Sequence, residues 1–463
     1  MLLLTHLMKF AIAVHGTRGD VEPCAAVGVE LQRRGHEVRM AVPPNLVDFV
    51  AAAGLSAVPY GPDSQRQLEV DFFRDFWSLM FRNPIGLIRL GKDYVTDGWA
   101  DMSATLTEVA SGADLILTGT TYQEVAANVA EYHGVPFAAL HYFPLRVNGR
   151  LVPKLPAPVT RCALRAVWWL YWLLTRDAEN AQRRELGLPT TTVASAARLK
   201  ARGALEIQAY DEVCFPGVAD DWDDRFPFVG ALTMEMPTEV DDAVMSWISA
   251  GDPPVYFGFG SMPVQSPAAT VEMIKTVCGR LGVRALICGR NFEGLPDADR
   301  TGPEVKIVDA VNHAAVFPAC RAVVHHGGAG TTAAGLRAGV PTLILWVGAD
   351  QPIWAAQIRR MKVGTAQRFT STSARSLTKA LRTVLDLRYA DRARDVATQM
   401  TKPAAGVTET ADLLERTARR GHAGPDFGTW IRDLDAGGEP DHRDRGLDSR
   451  PAQRRTLRQP HPR

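Results

Sequence analysis

Three short stretches of this 463-residue chain carry residues whose chemistry is useful in combination. The densest is Val323-Val324-His325-His326-Gly327-Gly328-Ala329-Gly330-Thr331-Thr332. An apolar strand runs into two histidines, then into a glycine-rich turn, then into the start of a helix. Glycine lets the backbone come close to a ligand and take positive φ. A helix start adds unpaired N–H groups and about half a unit of positive charge. Together they make a place for phosphate. His326, Gly328, Gly330 and Thr331 are the expected cradle, with imidazole, hydroxyl and backbone N–H groups donating to a diphosphate. The same glycines support a rival reading. Gly328-x-Gly330-x-x-Ala333 after a strand, with Asp350 beyond the next strand, fits a dinucleotide-binding pattern and an NAD(P)-dependent oxidoreductase. That alternative leaves the histidines and Gln351 without a role.

Two further turns could complete a site. Gly348-Ala349-Asp350-Gln351-Pro352 offers a carboxylate and an amide suited to sugar hydroxyls, or plain turn chemistry. Near the start stands His15-Gly16-Thr17-Arg18-Gly19-Asp20-Val21-Glu22-Pro23. Asp20 is expected either as a helix N-cap or as a general base at the mouth of a cleft, taking the proton of an attacking hydroxyl. Arg18 reads first as a solvated charge, and otherwise as a partner of Asp20 or Glu22. Ser261, after Gly258-Phe259-Gly260, reads as a phosphate contact or a turn serine. Asn312 reads as a helix cap. His141 and Tyr142, after a strand, read as acceptor contacts or as packing. Asp221/Asp223 and Asp297/Asp299 have the spacing of metal-dependent sugar transferases, but neither pair follows a convincing apolar strand. No metal-spaced histidine cluster occurs, so no metal is expected. A non-catalytic nucleotide-sugar-binding protein is a third reading, against which Asp20 counts.

The elements that must position these residues alternate between strand and helix. Phe10 to Val14 is a strand, Val21 to Arg34 a helix closed by Gly35, and Val38 to Val42 a strand. Ala113 to Leu117, Gln123 to His133 and Phe137 to Leu140 repeat the pattern. A second series runs from a helix at Asp241 to Ile248 through strands at Val255 to Phe259, Arg284 to Cys288, Val305 to Val308, Ala322 to Val324 and Thr342 to Trp346. The fold class is α/β: two doubly wound, Rossmann-like parallel sheets facing across a cleft, with ligands at the carboxyl ends of the strands. The expected domains are 8–225, which takes the acceptor, and 238–418, which takes the nucleotide-sugar. From 421 to 463 apolar periodicity stops, and this tail is expected to be disordered.

Composition narrows the class. Lys plus Arg number 52 against 51 acids, and a net charge of +1 gives no reason to expect nucleic acid. The six cysteines form no C-x-x-C and are expected as buried thiols in a cytoplasmic protein. The start lacks the basic flank of a signal peptide, and Met8 is as good a start codon as Met1. No run reaches the ~18 apolar residues of a membrane span. Aromatic stretches at Phe72, Phe73, Phe76, Trp77 and Phe81, and at Trp168, Trp169, Tyr171 and Trp172, are flanked by arginines. They read as an apolar acceptor pocket, a membrane-surface contact or core.

Taken in this order, Gly16 to Pro23, Gly258 to Met262, His325 to Thr332 and Asp350-Gln351-Pro352 resemble family 1 glycosyltransferases of the GT-B fold, over about residues 8–418. The closest likeness is to the bacterial branch acting on glycopeptide antibiotics, glycopeptidolipids and sterols. The resemblance implies an inverting, metal-independent transfer, without cofactor, from a UDP- or dTDP-sugar to a hydroxyl of an apolar acceptor such as a lipid, sterol or polyketide-like molecule. It implies Asp20 as base, His326 and Thr331 on the diphosphate, and Asp350 with Gln351 on the sugar. Plant relatives hold the ribose with a glutamate eight residues after the histidine; Ala334 stands there in this chain, which leaves dTDP open.

Overall fold

The computed structural model describes residues 7–69, 91–152, 155–234, 241–260, 266–289, 292, 300 and 302–421. All of these belong to one unit, Met1–His422; a second, Ala423–Arg463, lies outside the described residues, as do Ser261, Asp297, Asp299 and the aromatic cluster from Phe72 to Phe81.

Two six-stranded parallel sheets organise the unit. The first comprises β1 (Lys9–Ala13), β2 (Glu37–Val42), β3 (Ser56–Pro59), β4 (Leu115–Thr118), β5 (Phe137–His141) and β6 (Leu205–Gln208), in the order β3-β2-β1-β4-β5-β6. The second comprises β7 (Val255–Gly258), β8 (Ala285–Cys288), β9 (Val305–Val308), β10 (Ala322–His325), β11 (Thr342–Trp346) and β12 (Gly364–Arg368), in the order β12-β11-β10-β7-β8-β9. Both orders are the same doubly wound pattern, with helices on both faces. Strands covered on two sides need apolar residues at every position, not at alternate ones. β4, β5, β7 and β8 are buried throughout. β3, β6 and β12 were not expected from the sequence. Ser-Ala-Val-Pro, Leu-Glu-Ile-Gln and Gly-Thr-Ala-Gln-Arg are short, partly polar strands. β3 and β12 are sheet edges, whereas β6 also bridges Phe228 on its outer side.

Six helices matter for the site: α1 (Arg18–Arg33), α2 (Gln123–His133), α3 (Ala157–Glu185), α4 (Ala329–Arg337), α5 (Gln351–Met361) and α6 (Pro403–Gly421). The loops β1–α1, β10–α4 and β11–α5 leave the carboxyl ends of their strands. α6 follows the second sheet in sequence, within the expected 238–418 span, yet returns to the first. Ala411, Leu414 and Ala418 enter the core beneath β1 and α1. Arg34, the C-cap of α1, donates to Asp412 (2.6 Å) and Glu415 (2.9 Å) of α6. The chain crosses between the halves near Ala231 and Thr401, where the Asp211 carboxylate accepts from both backbone amides, at 3.4 and 2.6 Å. Trp354 of α5 packs edge-on against Phe215 at 5.1 Å and closes the junction.

Candidate active site

The β1–α1 turn positions Asp20. Thr17 is the N-cap of α1, and Asp20 stands three residues into the helix, not at the cap as the sequence allowed. Its Oδ2 accepts from the Thr17 amide (2.8 Å) and from Thr17 Oγ1 (3.1 Å). This is the carboxylate half of a capping box. Gly16 sits at φ +139°, and a Cβ there would lie 2.4 Å from Asp20 Oδ2, so only glycine lets the carboxylate fold back. Tyr142, at the end of β5, donates its hydroxyl to the Asp20 carbonyl at 2.7 Å. Arg18 pairs with Glu22, not Asp20 (3.1 Å), and lies over the Phe49 ring.

The β10–α4 turn divides its two histidines between different tasks. His325 is wholly buried, and its Nδ1 accepts from the Gly327 amide at 3.0 Å. Gly327 takes φ +100°, and a Cβ there would meet Ile344 at 2.8 Å. His325 therefore shapes the turn. His326 faces the cleft between two glycines: added Cβ atoms at Gly260 and Gly328 would both lie 2.7 Å from its ring. Burial pushes the His326 imidazole down to about 4, so it is neutral at pH 7. Gly328 is the N-cap of α4, which opens at Ala329 rather than at the threonines. The amides of Ala329, Gly330 and Thr331 have no intrahelical acceptor by position. Thr332 turns inward, donating to the Gly328 carbonyl at 2.8 Å, whereas Thr331 lines the cleft.

The β11–α5 turn presents Asp350. Gln351 Oε1 accepts from the amides of Val347 (2.8 Å) and Gly348 (3.2 Å), so this side chain braces the loop that carries the aspartate. Burial, and then the negative charge of Asp20, push the Asp350 carboxyl up to about 7. Burial alone pushes Asp20 up to about 6, against the Thr17 hydrogen bonds. Two carboxylates from opposite sheets thus face one space, and the charge of Asp20 disfavours that of Asp350.

Asp20, Tyr142, His326, Gly328, Gly330, Thr331, Asp350 and Gln351 all line one cleft of about 2360 Å³. His141 does not. It is fully buried beneath the sheet edge, 3.4 Å from Gln208 and from Glu206, so it cannot reach an acceptor there. Tyr142 is primarily the anchor of Asp20. Asn312 caps its helix by accepting from the Ala314 amide at 3.0 Å. Asp221 is held by Arg161 and the Gly149 amide, and Asp223 by Arg225. Five cysteines are buried as expected, but Cys162 is exposed. Sequence reasoning missed Thr17, whose spacing to Asp20 is itself the capping-box signal. Of the aromatic stretch read as acceptor pocket, membrane contact or core, Trp168 and Tyr171 stand in the cleft wall.

The shifts on Asp20 and Asp350 have a stability consequence. A carboxyl raised in the folded state keeps its proton there after the unfolded chain has lost it. Stability therefore falls as pH rises from about 4 through the folded values of about 6 and 7. Asp350→Asn removes one of the opposed charges. It is expected to raise the melting temperature at pH 8, with an advantage that shrinks toward pH 5; calorimetry at both pH values checks this, and a variant melting lower at pH 8 would contradict it.

Residues 10–91 match the model of the glycosyltransferase family 28 N-terminal domain, and 287–415 that of the erythromycin biosynthesis protein CIII-like C-terminal domain. An uncharacterized glycosyltransferase of Mycobacterium bovis is 60% identical over 418 residues, spanning 89% of this chain and 100% of the relative. The chain is a family 1 glycosyltransferase. A sterol 3-beta-glucosyltransferase of Arabidopsis thaliana is 30% identical over 438 residues, spanning 88% of this glycosyltransferase and 68% of the plant protein. Among solved structures, the kitacinnamycin glycotransferase (TM-score 0.63, 19% identity, 89% of this chain and 99% of that one) shares the two-sheet GT-B fold. So does the glycosyltransferase VinC in complex with dTDP (TM-score 0.61, 19% identity, 89% and 100%). Membership sets aside the oxidoreductase and the non-catalytic binder: the glycosyltransferase is an enzyme of sugar transfer.

Proposed function

We propose that the glycosyltransferase moves a sugar from a UDP- or dTDP-sugar to a hydroxyl of an apolar acceptor, with inversion and without metal or cofactor. The observation that carries this reading is the placement of Asp20, from the first sheet, opposite Asp350 and the amino end of α4, from the second, within one cleft. The diphosphate lies on the amides of Gly330 and Thr331, with the Thr331 hydroxyl and His326 beside it. Asp350 receives the sugar hydroxyls, and Gln351 holds its loop. The acceptor hydroxyl attacks the anomeric carbon as Asp20 takes its proton, and the bond to the diphosphate oxygen breaks on the opposite face. The leaving diphosphate keeps the electron pair, and the helix N–H groups and His326 hydrogen-bond to that charge, a service a metal performs elsewhere. Closing the two halves excludes water that would hydrolyse the donor.

The acceptor class rests on the cleft wall of Leu145, Val167, Trp168 and Tyr171, and on the likeness to a sterol glucosyltransferase. Ala334 in the cleft and the dTDP held by VinC keep dTDP beside UDP. None of the described helices is long and apolar enough to cross a membrane. We place the enzyme in the cytoplasm, with peripheral contact to a bilayer.

The test is incubation with UDP- or dTDP-hexoses and sterol or lipid alcohols, read by mass spectrometry and by anomeric proton couplings. A product one sugar heavier, inverted at the anomeric carbon and formed equally well in EDTA, is expected. A retained anomer, or activity abolished by EDTA and restored by a divalent cation, would overturn the proposal.

A further inference from the structure

α3 is 29 residues long and carries two apolar faces. One turns inward: Trp168 and Tyr171 line the cleft, and Tyr171 donates to Glu124 at 3.3 Å. The other faces outward. Val159, Ala163, Ala166, Trp169 and Leu170 recur at the three- and four-residue spacing that puts them on one side of a helix. Val159 is 50% exposed, Trp169 59% and Leu170 49%. Tryptophan is the costliest side chain to leave in water, and an apolar stripe of this kind marks a contact surface. Val167, 61% exposed, also lines the cleft, so an apolar side chain stands between the outward face and the acceptor wall.

Charge selects the partner. From Tyr132 to Arg176, 45 residues (176 − 132 + 1), there is no Asp or Glu, while Arg146, Arg150, Lys154, Arg161, Arg165 and Arg176 are all basic. Arg146 is committed to Glu206, Arg161 to Asp221, and Arg176 contacts Asp177 at 3.6 Å. Arg165 is exposed, one turn before Trp169, and has no ion pair among the described residues. Aromatic and aliphatic side chains beside unpaired arginine form the pattern of a helix lying in the interface of an anionic bilayer. A second protein copy would instead require an acidic counterpart to this surface.

We infer that the outward face of α3 docks the enzyme on a bilayer bearing anionic headgroups, with Trp169 and Leu170 inserted, so that an apolar acceptor passes over Val167 into the cleft. This deepens the proposed function and rests on its apolar acceptor. The bilayer supplies the acceptor at the rim, which spares a lipid-like molecule the passage through water.

The experiment is co-sedimentation of the full-length enzyme with phosphatidylcholine vesicles, with and without phosphatidylglycerol. The parent is expected to bind the anionic vesicles. Trp169→Glu with Leu170→Glu is expected to weaken binding at least about tenfold, on the order of 1.4 kcal/mol. Arg165→Glu is expected to weaken it several-fold on anionic vesicles only. Neither change touches the cleft wall, so melting temperature and transfer to a short-chain, water-soluble acceptor should stay at parent values. Undiminished vesicle binding by the double variant would overturn the inference. So would light scattering that shows a parent dimer turned into a monomer by that variant, since a second copy would then cover the face. An enzyme that binds vesicles but transfers no sugar would sink the catalytic reading alone. One that glycosylates soluble acceptors but ignores vesicles would sink this inference alone.

Discussion

Asp20→Asn is expected to lower kcat for sugar transfer by about 10²- to 10⁴-fold, or roughly 3 to 5 kcal/mol in the barrier, without weakening binding of dTDP or UDP. Asparagine keeps an oxygen that can accept from the Thr17 amide, now at 2.8 Å, so the helix start and the fold should survive. What disappears is the basicity. Burial holds the Asp20 carboxyl at about 6. Below that pH the group is protonated and cannot take the acceptor's proton; above it the base is charged and competent. In the parent, kcat/KM should therefore climb as pH rises through about 6 and then level off. In the variant that limb should vanish with the rate. Calorimetric titration of the nucleotide alongside rates from pH 5 to 8 separates the two effects. A variant as fast as the parent would leave Asp20 as a helix-capping residue and nothing more.

His326→Ala is expected to cost about 10²- to 10³-fold in kcat, roughly 3 to 4 kcal/mol, the usual loss when one preorganised donor to a developing anion is removed. The neighbouring glycines test whether geometry, not merely the imidazole, matters. A methyl at Gly328 would lie 2.7 Å from His326 Nε2, so Gly328→Ala must displace the ring. A methyl at Gly330 meets nothing within 4 Å in the unliganded cleft. Gly330→Ala should therefore melt like the parent, and any fall in donor affinity would come from crowding the diphosphate. Nucleotide affinity and kcat for the three variants give the comparison. Equal, small effects for all three would mean that the anion binds elsewhere.

Much of this arrangement could be read from the chain because its cues are local. A strand, a glycine at positive φ and a helix start lie within ten residues at His325 to Thr332, and the turn that results needs no distant partner to be legible. Gln123 to His133 and Val305 to Val308 fall where periodicity places them. The edge strands β3 and β12 did not show, because a strand paired on one side keeps polar residues that blur its pattern. β6 did not show because its Glu206 and Gln208 are buried polar residues, bonded to Arg146 and Tyr210. α6 is plainly amphipathic, but periodicity does not say which sheet receives its apolar face; Arg34 and the core under α1 decide that through space. His141 misled for a similar reason. It stands at a strand end like the site residues, yet its neighbour across the sheet, Gln208, belongs to a strand the sequence did not reveal. The opposition of Asp20 and Asp350, 330 positions apart (350 − 20), is likewise a property of the assembled halves and of no local pattern.

The most direct test of the account is a crystal structure of the enzyme with UDP or dTDP bound. Phosphate oxygens are expected within hydrogen-bond distance of the Gly330 or Thr331 amide and of His326, with Asp350 and Asp20 flanking the terminal phosphate. A nucleotide seated elsewhere in the cleft, leaving the amino end of α4 solvated, would contradict it.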